Sequence, residues 1–232
     1  MLRQLLSGGF SLELLLSILL SLPIVLFSLS CHEVAHGYVA YKMGDPTARN
    51  LGRLTLNPMK HLDPMGTILM LLVGYGWAKP VPINTRLFKN PKKGMALTAL
   101  AGPLTNFFLG FVFLIITAAY SVIITPFVLN ESTTEFAFVI MSTVFQVLYF
   151  GAYMNVTLAV FNLLPVPPFD GSRIFLSFLP PKLYFGIMKY ERYILIVVLA
   201  LFYLDVLTIP VNFITDHIFS LMLTLIGIIT GL

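Results

Sequence analysis

His32-Glu33-Val34-Ala35-His36 lies inside an apolar run from Leu12 to Tyr41, in which Glu13 is the only charge to precede it. Two histidines four apart stand one above the other on a helix, about 6 Å apart, so two ring nitrogens can converge on one Zn²⁺ ion. Glu33 follows the first of them, where a carboxylate can take a proton from water on that ion. Three ionisable side chains at membrane depth are costly unless paired, coordinated or set in a wet cavity. A chance match on a water-facing helix is therefore a poor account of the motif.

The membrane setting follows from the rest of the chain. Of 232 residues, 58% are hydrophobic and only 10% are charged, against roughly a quarter charged in soluble domains. Several stretches exceed the roughly 20 apolar residues that cross a bilayer. The expected fold is an all-α polytopic membrane protein: a multi-helix bundle with a short re-entrant segment and small β elements near the cytoplasmic face. One integral membrane domain over 1–232 is expected, with a catalytic core over about 12–179 and C-terminal helices over about 184–232.

A net charge of +4 would suggest nucleic acid in a soluble protein, but here the placement of the bases decides. Apart from Arg3, every Lys and Arg falls in Lys42–Lys60, Lys79–Lys93 or Arg173–Arg192, whereas Val128–Phe136 carries Glu131 and Glu135 and no base. The positive-inside rule puts the three basic blocks in the cytoplasm and removes the need for a nucleic-acid partner. Cys31 is the sole cysteine, which excludes an intrachain disulfide and a cysteine zinc cluster. The N-terminus has no signal-peptide pattern, since the segment after Arg3 runs straight into the histidine motif.

Along the chain, helices are expected over 12–41, 94–125, 137–163 and 193–209, with a last apolar segment over 213–232. Pro23 is expected to kink or open the first. Arg53-Leu54-Thr55-Leu56, within Ala48–Leu56, alternates as a small strand does. Met65–Trp77 is apolar but only 13 residues long and has basic flanks on both sides, so it reads as a re-entrant or interfacial segment. The proline-stiffened stretch Pro80–Asn84 is a candidate wall of the site. Asn106, Gln146, Asn155 and Asn162 interrupt the apolar surfaces of the second and third helices; Asn155 and Asn162, seven apart, share a face.

Tetrahedral zinc with two His ligands and one water position needs a third protein ligand. Glu131 and Glu135 are expected on the far side of the membrane, and His61 and Asp63 already have structural roles in a turn-rich loop. Asp170 fits best: Pro165, Pro167 and Pro168 stop the third helix and present it at the depth of His32 and His36. Peptide hydrolysis then has its parts, with Zn²⁺ on His32, His36 and Asp170, Glu33 as base, and Asn162 as oxyanion donor or helix cap.

Cys31-His32-Glu33-Val34-Ala35-His36-Gly37, Gly52-Arg53-Leu54-Thr55-Leu56-Asn57-Pro58, Gly76-Trp77-Ala78-Lys79-Pro80-Val81-Pro82, Ala101-Gly102-Pro103-Leu104-Thr105-Asn106 and Phe161-Asn162-Leu163-Leu164-Pro165-Val166-Pro167-Pro168-Phe169-Asp170-Gly171 occur in that order. Together they resemble the site-two protease family of intramembrane zinc metalloproteases, in its short prokaryotic form without a PDZ domain. The resemblance implies one Zn²⁺ per chain and cleavage of transmembrane helices or membrane-proximal segments, in a multi-pass prokaryotic inner-membrane protein with its catalytic centre toward the cytoplasm. It also implies extended substrate presentation. Leu54 and Leu56 on the expected strand, Trp77, Asn106 and Asn155 are the candidate substrate contacts. The implied partners are transmembrane protein or peptide substrates and the lipid bilayer, and a homo-oligomer is left open. The alternatives are another membrane zinc protease that acts on exposed peptides, or a nonproteolytic membrane chaperone that retains the site.

Overall fold

The computed structural model describes residues 12–66, 79–129 and 133–230. Their helices, in chain order, are α1 (Leu12–Met43), α2 (Thr47–Asn50), α3 (Pro91–Val128), α4 (Glu135–Asn162), α5 (Asp170–Leu176), α6 (Pro181–Met188), α7 (Glu191–Tyr203) and α8 (Thr208–Thr230), with 3-10 turns at Pro58–Lys60 and Thr85–Leu87. Among the described residues, four segments are long and apolar enough to cross a membrane: Leu19–Met43, Pro91–Val128, Glu135–Asn162 and Thr208–Ile228. The chain is thus an all-helical, multi-span bundle.

Helices α1, α3 and α4 pack on one another, α8 packs on α4, and α5 packs on α3. Gly110 sets the closest approach of α3 to α4, since a Cβ there would lie 2.9 Å from the Val156 side chain and 3.2 Å from the Ala152 carbonyl oxygen. Small residues let helix backbones approach where lipid supplies no hydrophobic drive. Leu114, Ala152, Val156, Phe219, Met222 and Ile226 join α3, α4 and α8 in one core cluster. Val160, Phe169, Val198, Phe202 and Val211 form a second, tying the turn before α5 to α4, α7 and α8.

Caps explain why two helices begin earlier than the hydropathy pattern predicts. The Asn90 side chain accepts the Lys93 N–H at 3.1 Å, with Pro91 in the first turn, so α3 starts at Pro91 rather than Gly94. Thr134 accepts the Ala137 N–H at 3.3 Å and starts α4 at Glu135 rather than Ala137. α1 continues through Pro23 to Met43. The expected helix over 193–209 is instead two pieces. Asp205 adopts φ +59°, a left-handed conformation that Asp tolerates better than most residues. It closes α7, and the chain restarts as α8 at Thr208.

The expected β elements are corrected: no strand occurs among the described residues. Ala48–Asn50 belongs to α2, and Gly52, at φ +63°, ends that turn. The Gly52 N–H reaches the Arg49 carbonyl at 3.0 Å and the Arg53 N–H the Ala48 carbonyl at 2.9 Å, a Schellman closure. These backbone groups are used locally, and the alternation of Arg53–Leu56 forms no ladder. The re-entrant reading of Met65–Trp77 falls almost wholly outside the described residues.

Asp45 fastens the segment after that stretch to the end of α1. Its buried carboxylate accepts the Thr47 N–H at 2.9 Å and, through the other oxygen, the Asn84 N–H at 2.6 Å. Asp45→Ala leaves these donors without their acceptor at a cost of about 1–3 kcal/mol. Thermal unfolding in detergent should show that loss, whereas Lys60→Ala at an exposed turn position should leave the transition within error.

Candidate metal centre

His32 and His36 lie near the C-terminal end of α1 and Asp170 opens α5; all three side chains turn inward. His32 Nε2 and His36 Nε2 are 3.0 Å apart, and each lies 3.2 Å from Asp170 Oδ2. Tetrahedral zinc with ligands at 2.0–2.1 Å has neighbouring ligand atoms about 3.3 Å apart. The three donors therefore already stand close to three corners of such a polyhedron, which leaves a fourth corner for water or substrate.

Hydrogen bonding supports a cation there. His36 Nδ1 lies 2.7 Å from the Thr98 carbonyl oxygen, which only accepts, so Nδ1 carries the proton. In the neutral ring, His36 Nε2 then presents a lone pair to a carboxylate oxygen. That arrangement is repulsive until a positive charge sits between them. A cation at that point relieves both groups, because it accepts the imidazole lone pairs and the carboxylate oxygen together and so holds Asp170 as the anion a metal ligand must be.

Two glycines make the close approach of these elements feasible. A Cβ on Gly102 of α3 would collide with both imidazoles, so only the bare backbone allows α3 to pass behind them. A Cβ on Gly171 would collide with the carbonyls of Leu163 and Leu164, and its absence lets the first turn of α5 sit against the end of α4. The Asp-Gly pair is a packing device as well as a turn, and it aims Asp170 back at α1.

Glu33, 8% exposed, accepts the Val81 N–H through Oε2 at 2.8 Å. Pro80 and Pro82 have no N–H, so Val81 is the one backbone donor of that tripeptide. Pro80, Val81 and Ile83 line a cavity of about 910 Å³ together with His32, Glu33, His36 and Asp170. Leu158, Phe161 and Asn162 of α4 and one face of α7, from Glu191 to Phe202, form its opposite walls. Proline-stiffened Pro80–Asn84 is therefore a wall of the site, as its sequence indicates.

The remaining candidates are dispersed. Asn162 lines the cavity while donating one amide N–H to the Leu158 carbonyl at 2.9 Å, in its own helix. Asn155 is fully buried away from the cavity wall and donates to Ser28 Oγ at 2.9 Å and the Gly151 carbonyl at 2.8 Å, tying α4 to α1. Asn106 is likewise fully buried in the packed face of α3. Half-buried Leu54 packs over Gly37, whereas Leu56 is 52% exposed, and neither lines the cavity. Trp77 lies outside the described residues. His61 is structural, with Nε2 on the Thr55 carbonyl at 2.7 Å. Sequence reasoning missed the Thr98 carbonyl and the Val81 N–H; both are backbone groups, and only the flanking prolines gave a signal for the second.

Two histidines and an aspartate closing on one point, with a glutamate beside them inside a membrane bundle, define a zinc metallopeptidase centre. The chain belongs to peptidase family M50, whose model matches residues 20–204. It is 43% identical over 181 residues to the putative zinc metalloprotease YwhC of Bacillus subtilis, covering 77% of each chain. It is also 30% identical over 152 residues to the putative zinc metalloprotease Rip2 of Mycolicibacterium smegmatis, covering 63% of this chain and 52% of that protein. With the zinc metalloprotease MJ0392 of Methanocaldococcus jannaschii the identity is 29% over 167 residues, covering 72% of this chain and 36% of that one. No solved structure is a significant match. These relatives, with the four candidate spans and the one zinc site found among the described residues, make this a multi-pass prokaryotic membrane protein.

Gly102→Ala should displace the imidazoles and cut bound zinc to well under half an ion per chain by elemental analysis, with helical circular dichroism retained. Full zinc occupancy in that variant would show that α3 does not set the ligand spacing.

Proposed function

We propose that this zinc endopeptidase cuts membrane protein substrates within or next to their spans, with His32, His36 and Asp170 as metal ligands and Glu33 as base. The observation that carries this reading is the placement of those ligands on the wall of a large cavity between membrane-spanning helices. Zinc on these ligands would activate a water and polarise the scissile carbonyl. The rest of the chemistry belongs to the side chains. Val81 holds one oxygen of Glu33, which orients the carboxylate while the other oxygen takes the proton of the attacking water. Glu33 then returns that proton to the leaving amine. Asn162 keeps one amide N–H beyond its bond to Leu158, and it can donate that hydrogen to the developing oxyanion or to substrate backbone.

The basic blocks support a cytoplasmic position for the site. Lys79–Lys93 and Arg173–Arg192 flank cavity-lining residues, and Arg173 and Arg192 themselves line it. The core shared by Phe169, Val198, Phe202 and Val211 supports one membrane domain in which the C-terminal helices close over a core at about 12–179.

In liposomes with a single-span model substrate, Glu33→Gln should keep close to one zinc per chain and lose about 10²–10⁴-fold in cleavage rate. An unchanged rate would reject Glu33 as base. Asn162→Ala should lower kcat by up to about 10²-fold with little change in KM. A parallel loss of thermal stability would instead mark Asn162 as a structural group at the helix end.

A further inference from the structure

The last span carries a row of polar residues on its outer flank. Asn212, Asp216, Ser220 and Thr224 recur every fourth residue on α8, and all four are exposed. Their neighbours towards the bundle, Val211, Thr215 and Phe219, are buried. Asp216 lies eight residues inside a candidate span of 21, so it stands near mid-bilayer rather than at an interface. The adjoining flank of α4 is polar as well. Tyr153 Oη donates to Asp216 Oδ1 at 2.8 Å, Tyr149 and Tyr153 both meet the Phe219 ring edge-on, and Gln146, one turn before Tyr149 and Phe150, is exposed.

These residues form a polar seam along α4 and α8, about 18 Å long at 1.5 Å per residue. It is distinct from the cavity, whose α4 residues are Leu158, Phe161 and Asn162. Hydrocarbon supplies no partner for amides, hydroxyls or a carboxylate, and such groups in spans face protein or water. Tyr153 meets one need of Asp216 and the Ser220 carbonyl one of Thr224, and a polar surface at matching depths would meet the rest. A second copy of the chain does so by symmetry: two copies inserted in the same orientation carry every residue at the same depth. Asn212 and Ser220 each both donate and accept hydrogen bonds, so each can pair with its own counterpart, while Thr224, whose hydroxyl donates to the Ser220 carbonyl at 2.9 Å, keeps lone pairs for a donor. Asp216 only accepts when ionised, but exposed His217 is its neighbour on the free side of α8, so a donor ring stands at the depth of the partner's carboxylate. Rows spaced by four residues are also the ridges along which helices commonly cross.

We propose that the α4–α8 seam is the interface of a parallel homodimer in the membrane. Subunit counting by stepwise photobleaching in dilute liposomes should find two copies per particle, falling to one for the Asn212→Leu and Asp216→Leu double variant. In a Cys31→Ala background, oxidation of Ser220→Cys in native membranes should give a disulfide-linked species of twice the mass. Phe108→Cys, 65% exposed on α3, should not. The Ser220→Cys measurement does not depend on how well the leucine variant folds. Single copies of the unaltered protein at every protein-to-lipid ratio, or equal cross-linking at both cysteines, would overturn the proposal.

Discussion

Three ligand atoms within 3.2 Å of one another, buried among membrane helices, call for a positive charge between them. Unpaired, a carboxylate and two imidazoles at that depth would each raise the energy of the folded state. The rest of the bundle follows from holding them there. α1 supplies two ligands from one face, and α3 must pass behind the rings without a Cβ, which is why glycine stands at 102. The end of α4 must break sharply enough to return Asp170, and a run of prolines followed by Gly171 does this. The Thr98 carbonyl then fixes the His36 ring through Nδ1, so α3 both makes room for the ligands and orients one of them.

A second chain of constraint leads to Glu33. Glu33 is one residue from a ligand and shares its helix, but its carboxylate is oriented by Val81, far along the sequence. Val81 is itself placed by the extended stretch that ends at Asn84, whose N–H is held by the buried Asp45 carboxylate just beyond α1. The same helix end thus carries Glu33 and, through Asp45, the strap that steers it. A change at Asp45 would reach the chemistry through two hydrogen bonds without touching the metal.

The legible parts of this molecule were those where residue type forces the outcome. Histidines four apart in an apolar run, an aspartate after a proline-rich stop and blocks of base separated by apolar spans leave few arrangements open. The illegible parts rest on the backbone. The Thr98 carbonyl carries no side-chain signature, and the Leu54 and Leu56 alternation looked like a strand until Gly52 closed a local turn that used the neighbouring hydrogen-bonding groups. Asn106 and Asn155 illustrate a third case. An amide in an apolar helix announces only that it avoids lipid, and whether it faces substrate or a neighbouring helix depends on packing. Here Asn155 binds Ser28 of α1, one turn before His32, and serves the bundle beneath the site.

That buried polar layer bears on how the catalytic end stays ordered while the cavity stays open. α7 contributes one face to the cavity and is joined to α8 by a turn with Asp205 in a left-handed conformation, so its attachment rests mainly on Val198 and Phe202 in the second core cluster. The ligand-bearing elements are fastened differently. α1, α3 and α4 meet through Gly102, Gly110 and the Ser28–Asn155 hydrogen bond, contacts that tolerate little displacement because close-packed backbones and a buried amide both lose heavily when separated. The α6–α7 side of the cavity is thus fastened mainly by side-chain contacts, those of the second core cluster and Tyr184 on Met95. The zinc ligands and Glu33 remain on the rigid side, where fixed geometry matters most for the reaction.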